Sequence, residues 1–204
     1  MASIAVVYHS GFGHTKAVAE SVCRGAARVP GTRVELIGVD ELPDPGKERT
    51  FSGPTAGKWP RLLEADGVLF GSPTYMGSIS ADFKRFMEWT SPLWFTQSLK
   101  DKLAGGFVNS GTPSGDKLNA MMDLVVFAGQ HSMVWVTQGV WPSIHTGDGK
   151  ELNRLGSWVG VMTHSTNEPA DKTPPAGDHL TAEAYGERFA QAVRRWVRGK
   201  DPTP

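Results

Sequence analysis

The sequence predicts an α/β fold in which five parallel strands, in the order 2-1-3-4-5, carry helices on both faces. Three observations predict it. Short apolar runs rich in β-branched residues alternate with segments of helical spacing, and parallel strands need such crossovers. The runs are apolar throughout, as in strands covered on both sides. Finally, the segments that follow the first, third and fourth runs share one character, being rich in Gly, Ser, Thr and Pro.

The first run, residues 4–8, is Ile-Ala-Val-Val-Tyr and leads into a turn of small and hydroxyl residues. Helical spacing follows over 15–27, with Val18, Val22 and Ala26 in one i, i+4 row and Ala19 and Cys23 beside it. Pro30-Gly31 ends that segment, and 33–39 reads as the second strand. Residues 40–60 hold four prolines and three glycines; a loop of that length in a compact domain is usually functional or an assembly contact. A short helix over 62–65 precedes the third strand, 67–72. A helix over 81–90 places Phe83, Phe86 and Met87 on one face. The fourth strand is 104–109, followed by a helix over 116–128 and a fifth strand over 133–137. Residues 158–163 read as a short strand extending the sheet edge. A final helix, 181–198, has Thr181 as its N-cap. Residues 1–199 form one domain, and 200–204 are a mobile tail.

Composition bounds the function. The chain has 204 residues, with 21 Lys plus Arg against 21 Asp plus Glu. A net charge of zero speaks against nucleic-acid or anionic-membrane partners, which need a basic surface. The single cysteine, Cys23, excludes a disulfide framework and a clustered-thiol metal site; a small buried residue is expected there. No apolar run approaches the ~20 residues that span a bilayer, and no signal segment precedes the first strand. A cytoplasmic protein is expected. The six histidines (9, 14, 131, 145, 164 and 179) show no ligand spacing, so no metal is expected.

In open sheets of this kind, ligands sit beyond the carboxyl ends of the strands, where the winding reverses. That rule selects the loops after strands one, three and four. In the first, Ser10, Gly11, Gly13 and Thr15 turn directly into a helix. Backbone N–H groups, hydroxyls and the positive end of the helix dipole then converge on one spot, a seat for a phosphate that needs no Lys or Arg.

Tyr8-His-Ser-Gly-Phe-Gly-His-Thr15, Gly71-Ser-Pro-Thr-Tyr-Met-Gly77 and Asn109-Ser-Gly-Thr-Pro-Ser-Gly115 together resemble the three FMN loops of the flavodoxin superfamily. The likeness is greatest to its WrbA-type NAD(P)H:quinone oxidoreductase branch and spans residues 4 to about 140. It implies a flavodoxin-like three-layer sandwich, non-covalent FMN, NADH or NADPH as reductant, a quinone or other small electron acceptor, and a homo-oligomer. Residue by residue, Ser10, Gly11, Phe12, Gly13, His14 and Thr15 fall on the phosphate loop. Phe12 also falls where an aromatic residue lies near the nicotinamide; alternatively it simply covers the loop. Pro73, Thr74, Tyr75, Met76 and Gly77 match the segment passing the flavin edge and ribityl chain. Ser110, Gly111, Thr112, Pro113 and Ser114 match the loop holding the pyrimidine side. Trp94 corresponds to an aromatic residue of the substrate side, or covers a neighbouring subunit. Two adjacent histidines follow the fourth helix in the family; here Gln130 stands at the first and His131 at the second, and His131 is the expected catalytic residue, donating to a quinone oxygen. Pro113 replaces a glycine and removes one N–H donor.

The implied reaction is a ping-pong two-electron transfer through one stacking site, with no protein nucleophile. Two further classes share the loops: a flavodoxin-like electron carrier, which is usually strongly acidic, and a non-catalytic FMN-binding regulatory protein. A phosphorelay receiver would need an acidic residue where Ser72 ends strand three.

Overall fold

A computed structural model describes residues 1–46 and 54–199. In chain order the elements are β1 (Ala2–Tyr8), α1 (His14–Ala27), β2 (Thr32–Gly38), α2 (Trp59–Glu64), β3 (Gly67–Tyr75), β4 (Ser78–Ile79), α3 (Ala81–Trp89), α4 (Ser91–Phe95), β5 (Leu103–Ser110), α5 (Lys117–Gln130), β6 (Val134–Trp135), β7 (Val161–His164) and α6 (Ala176–Arg198).

The main sheet runs β2-β1-β3-β5-β6 with every neighbour parallel, and β7 also pairs with β5. Five positions cross the sheet, in the predicted 2-1-3-4-5 order once β4 is set aside as a small antiparallel hairpin partner of β3. The fifth position is shared. Leu103 and Ala104 pair with β6, whereas Phe107 to Ser110 pair with β7 on the same flank of β5. The strand expected over 133–137 therefore stops at Trp135, and the one expected to extend the edge completes the fifth position instead.

Tyr185 explains the break. Val136 N–H still donates to Ala104 O (2.7 Å). At the next rung the Tyr185 hydroxyl accepts from Gly106 N–H (3.2 Å) and donates to Val136 O (2.7 Å), replacing the ladder bond by a bridge. A Cβ on Gly105 would overlap that hydroxyl, so the wedge requires glycine there. Tyr185 is fully buried, and burial pushes its phenol well above the usual range. Tyr185→Phe is expected to lower stability by about 1–2 kcal/mol by orphaning two buried backbone groups, read as a lower urea midpoint with unchanged m.

Side-chain alternation along the strands builds two cores. Ala5, Val7, Val68, Phe70, Ala104 and Val108 face one side with Leu62, Phe83, Phe86, Leu124 and Phe127. Ile4, Val6, Leu69, Leu103 and Phe107 face the other, under Val18, Val22, Ala26, Tyr185, Phe189 and Val193 of α1 and α6. This is the period-2 pattern of strands covered on both faces. Trp59 is buried, stacks on Phe86 (5.9 Å, 25°) and donates from Nε1 to Pro43 O (2.8 Å). It thereby pins both described ends of the 40–60 loop to the α3 side. Cys23 is partly buried, and burial pushes its thiol up to about 12, which makes it a poor nucleophile.

The start of the last helix differs most from expectation. Helix α6 begins five residues before Thr181, with Pro175 at the N-cap position. Thr181 is an interior residue whose Oγ1 donates to Gly177 O (2.6 Å) and accepts from Asn153 N–H (2.8 Å), so it fixes the preceding loop rather than capping the helix. The 200–204 tail lies outside the described residues. Among those described, no helix is long and apolar enough to cross a membrane.

Candidate functional site: a cavity at the carboxyl edge of the sheet

The carboxyl ends of β1, β3, β5 and β7 enclose a cavity of about 600 Å³. Ser10, Gly11, Phe12, His14 and Thr15 line it from the first loop, Pro73, Thr74 and Tyr75 from the second, and Ser110 and Gly111 from the third. The three loops singled out in the sequence thus meet at one place. Asn109, at the head of the third motif, also lines the cavity, as do residues 165–169, which the sequence did not single out. The signal was present in Ser165-Thr-Asn-Glu-Pro169, a small polar loop at a strand end. It was overlooked because 158–163 read as an outer strand, whose following loop would lie away from the switch point.

The first loop is shaped by Gly13, which precedes α1 with φ 90°. A non-glycine residue is strained at that angle. The first turn of α1 carries no acidic residue, which leaves its N–H groups and dipole open to an external anion. Thr15 is buried at the base of the seat. His14 Nε2 donates to Glu168 O (2.8 Å), and a Cβ on Gly13 would meet Ala170 Cβ at 3.1 Å. The fourth loop is therefore clasped directly onto the first.

The second loop is the end of β3 itself. Buried Ser72 accepts from Ser80 N–H (3.0 Å), and Ser80 in turn caps α3 by accepting from Phe83 N–H (3.3 Å). Met76 (φ 49°) and Gly77 (φ 81°) reverse the chain into β4. Met76 is fully exposed at the tip, and neither residue lines the cavity. Tyr75 packs edge-on against Phe12 (6.5 Å, 76°), and the two rings frame the mouth. In the third loop, the Thr112 and Pro113 carbonyls turn inward to accept from Lys117 (2.8 and 2.9 Å). Thr112, Pro113 and Ser114 thus shape the wall without lining it.

Trp94 and His131 line a different space, a groove of about 1010 Å³ between α3, α4 and α5 that shares Tyr75 with the cavity. Trp94 is half-exposed. His131, just past the far end of α5, is 2 % exposed, lies edge-on to Phe127 (4.9 Å) and does not line the cavity at the sheet edge. The Thr90 hydroxyl spends its proton on Met87 O (2.6 Å). It must therefore accept from His131 Nε2–H (2.8 Å), which leaves Nδ1 an acceptor with no partner among the described residues. Burial lowers the imidazole pKa from the usual 6.5 to about 4. The folded chain thus favours neutral His131 and loses stability as pH falls from about 6.5 towards 4, because the unfolded chain takes up the proton first. Between pH 7.5 and 5 this amounts to about 2 kcal/mol. Urea midpoints of the wild type and of His131→Leu are expected to converge or cross as the pH is lowered over that interval.

Two buried hydroxyls test whether the cavity suits FMN. Ser10 Oγ and Thr74 Oγ1 both belong to lining residues, both are shielded from solvent, and neither has a hydrogen-bond partner among the described residues. Leaving such groups unpaired is unfavourable by about 1–3 kcal/mol each, so the cradle is built for a ligand carrying acceptors. Ser10 beside the α1 N-terminus fits a phosphate, and Thr74 on β3 fits the polyol that follows it. Phe12 and Tyr75 offer apolar surface at the mouth for a flat ring system. The residues fit FMN.

Comparison with known proteins agrees. Residues 6–147 match the family described as NADPH-dependent FMN reductase. The chain is 34 % identical to the protein named flavodoxin FldP from Pseudomonas aeruginosa, over 94 % of this chain and 96 % of that protein. It is 32 % identical to an NAD(P)H dehydrogenase (quinone) from Archaeoglobus fulgidus, over 96 % and 99 %. Among solved structures, a flavodoxin, WrbA-like protein from Agrobacterium tumefaciens superposes with a TM-score of 0.70 at 34 % identity, covering 96 % of this chain and 99 % of that one.

Proposed function

Because this chain belongs to the NADPH-dependent FMN reductase family, we propose that it is an FMN-dependent oxidoreductase that passes two electrons from NAD(P)H to a quinone or similar small acceptor. The observation that carries the reading is the four-loop cavity with its unpaired Ser10 and Thr74 hydroxyls at the switch point of the sheet. FMN, when bound, would supply the two-electron redox chemistry. The chain supplies the rest. Ser10, Gly11, Gly13, His14 and Thr15 would hold the cofactor's phosphate, without a Lys or Arg. Thr74 and Asn109 orient the cofactor, and Phe12 and Tyr75 bound the face on which nicotinamide and acceptor stack in turn.

Trp94 and His131 act from the adjoining groove. We assign Trp94 to the wall against which a flat acceptor rests. His131 is buried and its Nε2–H is held by Thr90, so it does not donate to a quinone oxygen from this position; we assign it to shaping the groove where a second copy of the chain brings an acceptor. The exposed Trp94, Phe95, Met122 and Val126 support such a homo-oligomer. The reading takes residues 1–199 as one domain, since both cores share one sheet, and places it in the cytoplasm, where its reductant is found. Steady-state NADH and NADPH oxidation with benzoquinone tests the activity, and gel filtration tests the assembly. An FMN-loaded protein that oxidises neither nicotinamide would overturn the enzyme. His131→Ala with unaltered quinone reduction would remove His131 from the reaction.

A second reading, an electron carrier, is favoured by the likeness to a protein named flavodoxin. Zero net charge opposes it, because docking onto basic partners uses an acidic face. Electron delivery to a protein acceptor, with no turnover of quinones, would select the carrier.

A further inference from the structure

We propose that Lys117 is a positioning residue for the flavin, tying down the third loop from beneath and biasing the cofactor towards its reduced form. The inference rests on the FMN reading above. Lys117 is 1 % exposed, yet it occupies the first position of α5, where a cation adds to the positive end of the helix dipole. Lysine is almost never buried without a partner, and its usual partner is a carboxylate. Here Nζ donates to three neutral oxygens: Ser110 Oγ (2.6 Å), Thr112 O (2.8 Å) and Pro113 O (2.9 Å). Stability alone does not account for such a charge at such a place.

The placement has a consequence for the cavity. Ser110, which accepts from Nζ, also lines the cavity, so the ammonium lies one side chain behind its wall. Strand β3 separates β1 from β5, which sets the third loop about 10 Å across from the phosphate seat. That is the ring side of a phosphate-anchored FMN. Two-electron reduction with uptake of one proton leaves the flavin ring negative, whereas the oxidised ring is neutral. A fixed positive charge behind the wall therefore binds the reduced form more tightly. Other charges face Lys117 from neighbouring elements. Asp178 of α6 favours its protonated form, and Arg154, which holds Asp178 by two hydrogen bonds (2.7 and 3.0 Å), disfavours it. With burial as the largest cause, the ammonium pKa falls to about 8. It is charged at neutral pH and loses its proton within an accessible range.

The experiment compares wild type with Lys117→Met, which keeps the volume and removes the charge. Each is stripped of flavin, titrated with FMN, and its midpoint potential measured. Lys117→Met is expected to bind reduced FMN about tenfold less tightly relative to oxidised FMN, a fall of ~30 mV for a two-electron couple. Loss of affinity that is equal for both forms, with an unchanged potential, overturns the proposal and leaves Lys117 a structural residue. The wild type alone gives a second measurement, should the variant fail to fold. Its potential is expected to fall more steeply with pH above about 8, where Lys117 deprotonates; a slope that does not change there also overturns the proposal. A wild type that fails to bind FMN overturns the FMN reading itself, and the proposal with it.

Discussion

Gly186→Ala is expected to destabilise the fold by about 3 kcal/mol or more, through overpacking against backbone. Helices α1 and α6 cross at two glycines. A Cβ on Gly186 would overlap Val22 O, and a Cβ on Gly25 would overlap Glu183 O. In both cases the obstacle is a carbonyl inside a helix, which has no rotamer to escape into. Relief requires the helices to separate, and together they cover one whole face of the sheet, including Ile4, Val6, Leu69 and Phe107. The crossing is also stitched by Glu183, which Arg24 of α1 (3.0 Å) and Arg28, just past the end of α1, both engage. Denaturant midpoints of Gly186→Ala, Gly25→Ala and the double variant measure the effect. The double variant should lose less than the sum, because one separation relieves both clashes. Wild-type stability in either single variant would show that the crossing is looser than described.

The second large effect concerns the cofactor and has opposite signs in the two states of the protein. Ser10→Ala is expected to weaken FMN binding by about 1.5–3 kcal/mol, roughly 10- to 150-fold, the range for a hydrogen bond to a charged group. Thr74→Val should weaken it by about 1 kcal/mol, the range for a neutral partner. Neither substitution should destabilise the apoprotein. Each removes a buried hydroxyl that has no partner there, so the apo unfolding midpoint is expected to hold or rise. Isothermal titration with FMN, beside thermal melts of the apoprotein, separates the two effects. Undiminished affinity in Ser10→Ala would mean that the phosphate seat is made by the α1 N–H groups and Thr15 alone.

Much of this was legible in the sequence because it depends on local order. Apolar runs covered on both faces marked β1, β3 and β5 to within a few residues. Since the carboxyl ends of parallel strands share one edge, placing the strands also placed the loops 10–15, 73–77 and 110–114 together. Glycine and hydroxyl residues before a helix are a local signal, and Gly13 carries the positive φ that the signal requires.

What the sequence could not settle depends on contacts between distant residues. Only the fold brings the Tyr185 hydroxyl into the β5 ladder and so divides the fifth position between β6 and β7. With that division the 165–169 loop becomes a wall of the cavity, clasped by His14. Only packing places Lys117 behind Ser110 rather than in solvent, where a lysine in the first turn of a helix is expected. The same holds for His131, which sits beyond the far end of a 14-residue helix from the third loop. Periodicity and turn chemistry are written in neighbouring residues, so the strand order and the turn into α1 follow from sequence. The partner of a buried polar group is chosen by the tertiary structure, because burial removes water as the alternative and leaves only what the fold brings within reach.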